Sequence, residues 1–166
     1  SMEQSKLTTD LMIKELESNE VTHLVWLPDT ETSFLYKSIS KNNRIKIIPI
    51  CREAESIPLA AGLWIGGKKP VVMIQNTGLF ESGDSIRGLA VDINLPLVII
   101  VGYRGWTRHG ITKDSAAIYT EPTLNAWGLK YYLIDGDNDL DRISIAFEES
   151  TKEQKPIVCL IGAEYN

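Results

Sequence analysis

The sequence predicts a three-layer α/β fold, a doubly wound sheet of about six mostly parallel strands with helices on both faces. Three observations carry this. Short apolar runs alternate with helix-spaced segments from one end to the other, which is the rhythm of repeated βα units. The runs are rich in Val and Ile and lack strict alternation with polar residues, as expected of strands covered on both faces. The joins between them are short, with no linker, internal repeat or low-complexity tract. At 166 residues the chain reads as one domain, residues 1–166, able to bury a substantial core. Residues 1–4 are set aside as a tag remnant or a disordered start.

Taken in order, Leu7, Leu11 and Leu16 mark an opening helix. The first strand is read at His23 to Leu27 and the second at Ile45 to Ile50. Ala60, Ala61 and Leu63 then place small residues on a helix that packs closely on the sheet. Gly66-Gly67 ends that helix, and Lys68-Lys69-Pro70 turns into the third strand, Val71 to Gln75. Leu97 to Val101 is the fourth strand and Tyr131 to Ile134 the fifth. Leu140, Ile143 and Phe147 mark a helix behind an Asp-rich start that suits an N-cap. Ile157 to Ile161 closes the sheet. Prolines 70, 96 and 156 stand just before three of the strands, where no ladder donor is lost.

Composition narrows the partners. A net charge of -5 offers no basic surface to nucleic acid or to an anionic membrane. No apolar run approaches the ~20 residues needed to span a bilayer. Cys51 and Cys159 lie in or beside apolar runs and read as small core residues, which suits a reducing cytoplasm. No GxGxxG, GxxxxGK[ST] or GxSxG occurs, so the usual dinucleotide, phosphate-cradle and nucleophile-elbow devices are missing. His23 sits in a strand and His109 in a loop, a spacing that gives no metal site.

In a doubly wound sheet ligands lie beyond the carboxyl ends of the strands. Chemistry is therefore sought in the loops Pro28-Asp29-Thr30, Cys51-Arg52-Glu53, Asn76-Thr77-Gly78 and Tyr103 to Gly110. Pro28-Asp29 is either a loop with an N-cap or a polar wall of a ligand site. Glu53 opens a helix, where a carboxylate meets the positive dipole end whether or not it has another task. Glu55, two residues on, faces elsewhere. Gln75-Asn76-Thr77-Gly78 is either a self-satisfied turn or a lining of amides and a hydroxyl, with Gly78 permitting close approach. Arg104 suits an anion through its fork of donors, or a plain salt bridge. His109 is a solvated loop residue or a proton donor.

From Cys51 to Gly105 the chain reads CREAESIPLAAGLWIGGKKPVVMIQNTGLFESGDSIRGLAVDINLPLVIIVGYRG. It has an Arg-Glu pair after a strand, a small-residue helix ending in Gly-Gly, and a strand leading into Gln-Asn-Thr-Gly. A Pro-led apolar strand then ends in an Arg-Gly loop. In that order these motifs resemble the pyrimidine-binding domain of thiamine-diphosphate enzymes, in particular the α-chains of sulfopyruvate decarboxylases and the matching half of phosphonopyruvate decarboxylases. Glu81-Ser82-Gly83-Asp84-Ser85 departs from the Gly-x-Gly-Asn-Ser pattern usual there.

The resemblance implies that Glu53 bonds N1′ of the cofactor's pyrimidine and so acts on the cofactor rather than on the substrate. It places Pro28, Asp29, Gln75, Asn76, Thr77 and Gly78 around the cofactor, Arg104 and Asn76 at the substrate, and His109 beside the reacting carbon. Asp135-Gly136-Asp137-Asn138 reads as a turn, so the resemblance leaves diphosphate and Mg²⁺ to a separate diphosphate-binding β subunit. The assembly it implies is a homodimer or a higher hetero-oligomer. The expected reaction is decarboxylation of a small acidic 2-oxoacid such as 3-sulfopyruvate or phosphonopyruvate. Carboligation of the acetolactate-synthase kind, and a non-catalytic small-molecule-binding module, remain open at this point.

Overall fold

The computed structural model describes residues 6–29 and 32–165; the reading of residues 1–4, and Thr30 of the first loop, lie outside them. The chain starts with β1 (Lys6–Leu7) and α1 (Thr9–Ser18), then β2 (His23–Trp26), α2 (Ser33–Ile39) and β3 (Lys46–Pro49). A 3-10 turn at Glu53–Glu55 leads into α3 (Ser56–Ile65), followed by β4 (Pro70–Gln75) and α4 (Asn76–Glu81). Next come α5 (Gly83–Ser85), which continues as a π-helical segment (Ile86–Val91), and β5 (Val98–Gly102). A hairpin of β6 (Trp106–Thr107) and β7 (Gly110–Ile111) precedes α6 (Ser115–Ala126). The chain closes with β8 (Lys130–Ile134), α7 (Asp141–Glu153), β9 (Ile157–Ile161) and β10 (Glu164–Tyr165).

Six strands form one parallel sheet in the order β3-β2-β4-β5-β9-β8. Side chains alternate across it, and each set meets its own helical layer. Leu24, Val71, Met73, Val98, Ile100 and Cys159 join Met12, Leu16, Leu35, Ile143 and Phe147 from α1, α2 and α7. Val25, Val72, Ile74, Ile99, Val101 and Val158 join Ile57, Ala60, Ala61, Leu79, Ala117 and Leu124 from α3, α4 and α6. The three predicted layers are therefore present. Val98 to Val101 of β5 are wholly buried, which explains why that strand reads as a continuous apolar run rather than an alternating one. Burial of each such side chain contributes about 1.5–3 kcal/mol.

Three local expectations need correction. The opening helix buries Met12, Ile13 and Leu16, while Leu11 is exposed and Leu7 belongs to β1, parallel to β10. Helical periodicity cannot show a two-residue strand whose partner lies at the far end of the chain. Cys51 is exposed because β3 has ended before it; Cys159 is buried on β9, where desolvation pushes its thiol up to about 12. The Asp-rich segment does not cap α7, whose N-cap position is Leu140 with no side-chain cap bond. Asp137 instead accepts bonds from the backbone N–H and hydroxyl of Thr8, each at 2.6 Å, tying the chain's start to the turn before α7.

No helix is long and apolar enough to cross a membrane among the described residues.

Candidate functional site

After β2 the chain first places β3 on one side and then returns to place β4 on the other. Doubly wound sheets open a crevice at such a reversal, outside the carboxyl ends of the strands. The loop with Pro28 and Asp29 leaves β2 there, Glu53 follows β3, Gln75 to Gly78 follow β4, and Arg104 follows β5. The topology thus gathers four separate loops at one edge.

Glu53 begins the 3-10 turn that enters α3, and its side chain is half-buried. Its methylene stem lies on Gly78 of α4: a Cβ at position 78 would sit 2.3 Å from Glu53 Cγ and 3.0 Å from Oε1. Gly78 has an ordinary helical backbone, so glycine is required there by space, not by φ. Among the described residues, the Glu53 carboxylate has no hydrogen-bond or ion-pair partner. Glu55 is exposed.

The turn itself is held from α4 and α5. Glu81 Oε1 accepts from Arg52 Nε at 3.2 Å and Nη2 at 2.8 Å, and Oε2 accepts from the Ala54 backbone N–H at 2.6 Å. The Arg52 guanidinium, and after it the Ala54 N–H, hold the Glu81 carboxyl below the usual carboxylate value. Ser85 Oγ donates to the Ala54 carbonyl at 3.1 Å. Arg52, Glu81 and Ser85 were not singled out as site residues from sequence. The only signal was that Glu81-Ser82-Gly83-Asp84-Ser85 breaks the expected pattern.

Gln75 is half-buried at the end of β4, its Cγ 3.5 Å from where a Cβ on Gly102 would lie. Asn76 is fully buried and faces inward. Its Nδ2 donates to the Arg104 carbonyl at 3.0 Å and to Thr120 Oγ1 at 3.1 Å, while Oδ1 accepts from Thr77 N at 3.1 Å. Asn76 therefore ties α4 to α6 and to the loop after β5. Asn76→Ala should destabilise the isolated chain by about 1–3 kcal/mol, since two groups lose their donor. Urea unfolding followed by circular dichroism measures this; a change below about 0.5 kcal/mol would remove the structural role. Thr77 is exposed and, with Phe80, Ser115, Ala116, Tyr119 and Thr123, lines an open groove of about 390 Å³ between α4 and α6.

The remaining residues are placed as follows. Pro28 is exposed. Asp29 Oδ1 accepts from the Thr32 N–H at 2.8 Å and the Thr32 hydroxyl at 2.7 Å, and Thr32 Oγ1 accepts from Trp26 Nε1 at 2.9 Å. This is a turn before α2 built on a side-chain oxygen. Arg104 is exposed and its Nε meets Asp114 Oδ2 at 3.0 Å, while Asp114 Oδ1 caps α6 through Ala116 N. His109 is exposed between β6 and β7. No cluster of three His, Cys, Asp or Glu fit to hold a metal occurs among the described residues.

Comparison with known proteins gives the family and the fold. Residues 7–120 fit the family model described as thiamine pyrophosphate enzyme, N-terminal TPP binding domain. The chain is 24% identical to the sulfopyruvate decarboxylase subunit alpha of Methanococcus maripaludis over 159 residues, 95% of each chain. It is 26% identical to the phosphonopyruvate decarboxylase of Streptomyces hygroscopicus over 94 residues, 57% of this chain but 23% of that one. It spans only 30% of the sulfopyruvate decarboxylase of Methanosarcina acetivorans, at 26% identity over 69% of its own length. In structure it superposes on the benzoylformate decarboxylase of Polynucleobacter necessarius with a TM-score of 0.72 at 18% identity, over 94% of this chain and 30% of that one. The chain belongs to the thiamine pyrophosphate enzymes, as their N-terminal TPP-binding domain.

Proposed function

We propose that this chain is the pyrimidine-binding subunit of a thiamine-diphosphate-dependent 2-oxoacid decarboxylase that takes 3-sulfopyruvate or a related anionic 2-oxoacid such as phosphonopyruvate. The observation that carries it is the Glu53 carboxylate, unengaged among the described residues and seated on Gly78 at the strand-order reversal. Those residues fit the cofactor's pyrimidine. A carboxyl group with no hydrogen-bond or ion-pair partner among the described residues has the capacity to hold a proton at a ring nitrogen, and the glycine beneath it leaves room for the Glu53 side chain itself. Bound thiamine diphosphate supplies the electron sink that makes loss of carbon dioxide from a 2-oxoacid feasible.

In this reading Glu53 holds the proton at the pyrimidine N1′. Gln75, Thr77 and Gly78 border the ring from α4 and the end of β4, and Pro28 closes the other side of the crevice. Arg104 holds the anionic end of the substrate: only its Nε is engaged by Asp114 among the described residues, and its side chain is 56% exposed. Asn76 and Asp29 act through the backbone they fix. His109, on the exposed hairpin of β6 and β7 that follows Arg104, would serve as the proton donor.

The diphosphate and Mg²⁺ belong, in this proposal, to a separate β subunit. Support comes from the name of the relative matched over 95% of both chains, a subunit alpha. The groove between α4 and α6 adjoins the site through Thr77 and carries Phe80 and the exposed Tyr119, a surface suited to a partner subunit.

The test mixes the purified chain with its diphosphate-binding partner, thiamine diphosphate and Mg²⁺, and follows carbon dioxide release from 3-sulfopyruvate, phosphonopyruvate and pyruvate. Turnover of one of the doubly anionic acids in preference to pyruvate is expected. If the complex assembles and none of the acids releases carbon dioxide, the decarboxylase reading is abandoned.

A further inference from the structure

We propose that Glu81 is a positioning residue for Glu53, reaching back from the end of α4 to cap the 3-10 turn that carries it. The inference rests on the reading of Glu53 as the cofactor's proton partner and adds to it a device that fixes where that carboxyl points.

The turn at Glu53–Glu55 needs outside help. Helical starts leave their first backbone N–H groups unpaired, and the usual remedy is a side-chain oxygen on the residue just before. That residue here is Arg52, in extended conformation, with no side-chain cap bond. A guanidinium has only donors and cannot cap an N–H. Glu81, 27 residues later than Ala54, supplies the missing acceptor: its Oε2 takes the Ala54 N–H at 2.6 Å. Its other oxygen takes two N–H groups of Arg52. One carboxylate thereby turns an unsuitable cap residue into a second anchor.

The geometry of α4 links this cap to Glu53. Gly78 and Glu81 are three residues apart and share a face of the helix. Gly78 lies under the Glu53 side chain, and Glu81 grips the backbone one residue further on. Ser85 completes the hold by donating to the Ala54 carbonyl. Both polar groups of Ala54 are thus fixed by side chains of α4 and α5, so the peptide before Ala54, which carries the Glu53 carbonyl, is held by Glu81 and the peptide after it by Ser85. A shift of about 1 Å in a catalytic group can cost 10²-fold in rate, so the orientation of this peptide bears on the site although Glu81 touches neither cofactor nor substrate.

Glu81→Gln keeps the size of the side chain but exchanges one acceptor oxygen for a donor. It can serve Arg52 or Ala54, not both. The assembled complex with the diphosphate-binding partner should lose roughly 10- to 100-fold in kcat/KM at limiting thiamine diphosphate. The decisive readout is a double-mutant cycle with Glu53→Gln. If Glu81 acts through Glu53, the double variant is no slower than Glu53→Gln alone; losses that multiply would overturn the proposal. Independently, amide exchange at Ala54 in the full chain without partner or cofactor should quicken at least tenfold in Glu81→Gln, and unchanged exchange would also overturn it. Ser85→Ala provides a second, milder release of the same turn, at the peptide after Ala54, should Glu81→Gln fold poorly, and it too should speed exchange of the surrounding amides. The underlying reading has its own separate test: a Glu53→Gln complex with full activity removes the proton-partner role, whatever Glu81 does to the turn.

Discussion

Glu53→Gln should lower kcat of the assembled enzyme by roughly 10²–10⁴-fold, the usual range for a removed acid or base, while leaving the fold intact. The substitution keeps the side chain's length and its hydrogen-bonding reach. It removes only the ability to exist as both carboxylate and carboxylic acid, because an amide does not exchange charge states in the accessible pH range. The carboxylate has no hydrogen-bond or ion-pair partner among the described residues, so stability should change by less than about 0.5 kcal/mol. Titration calorimetry of thiamine diphosphate onto the complex separates the two consequences of the change. Affinity reports the hydrogen bond to the ring, and kcat at saturating cofactor reports the proton. Near-normal kcat with weakened cofactor binding would reduce Glu53 to a binding contact. Unchanged values for both would remove it from the site.

The fold was legible because its signal is local and repeated. The central strands β4, β5 and β9 are short Val- and Ile-rich runs, and β5 shows four consecutive wholly buried residues. A period of two hides itself when both faces are covered, but the run remains visible. What escaped was non-local. The pairing of Leu7 with Tyr165 joins the two ends of the chain, and no window of sequence contains both. Leu11 was placed with Leu7 and Leu16 by spacing alone, whereas the buried seam is Met12, Ile13 and Leu16. A shift of one residue is about 100° on a helix, enough to move Leu11 into solvent.

At the site the same division holds. Glu53 and Gly78 were legible as members of ordered motifs, and the structure packs one on the other. Asn76 was read as facing a ligand, yet its amide is turned inward to Arg104 O and Thr120. A polar motif names its residues without saying which way each side chain leaves the helix. Glu81 stood out only as a mismatch, because its partners Arg52 and Ala54 lie 29 and 27 residues away. A charge that replaces an expected neutral residue beside a site is a cue to look for its counter-charge, here the Arg52 that directly precedes Glu53.

Gly78→Ala offers the sharpest separation of folding from function. In a helix, alanine is favoured over glycine by about 0.8–1 kcal/mol, and Gly78 has no positive φ that would resist the change. Propensity alone therefore predicts a chain at least as stable as the parent. The added methyl, however, would lie 2.3 Å from Glu53 Cγ, a separation that non-bonded carbons do not adopt. Cγ is the middle of the side chain rather than its free end, so a small bend does not relieve the contact. Because the backbone at Ala54 is gripped by Glu81 and Ser85, the turn resists moving away, and Glu53 must change rotamer instead. The carboxyl then leaves the position from which it serves the ring nitrogen. Turnover of the assembled complex should fall by about 10²-fold or more, with melting temperature unchanged or slightly raised. The pairing of results matters: loss of both stability and activity would mean that the neighbouring elements shifted, and retention of both would show that Glu53 needs neither this rotamer nor this glycine. In a Glu53→Gln background, which has no proton to misplace, Gly78→Ala should cost little further activity, tying the effect of the glycine to that one carboxyl group.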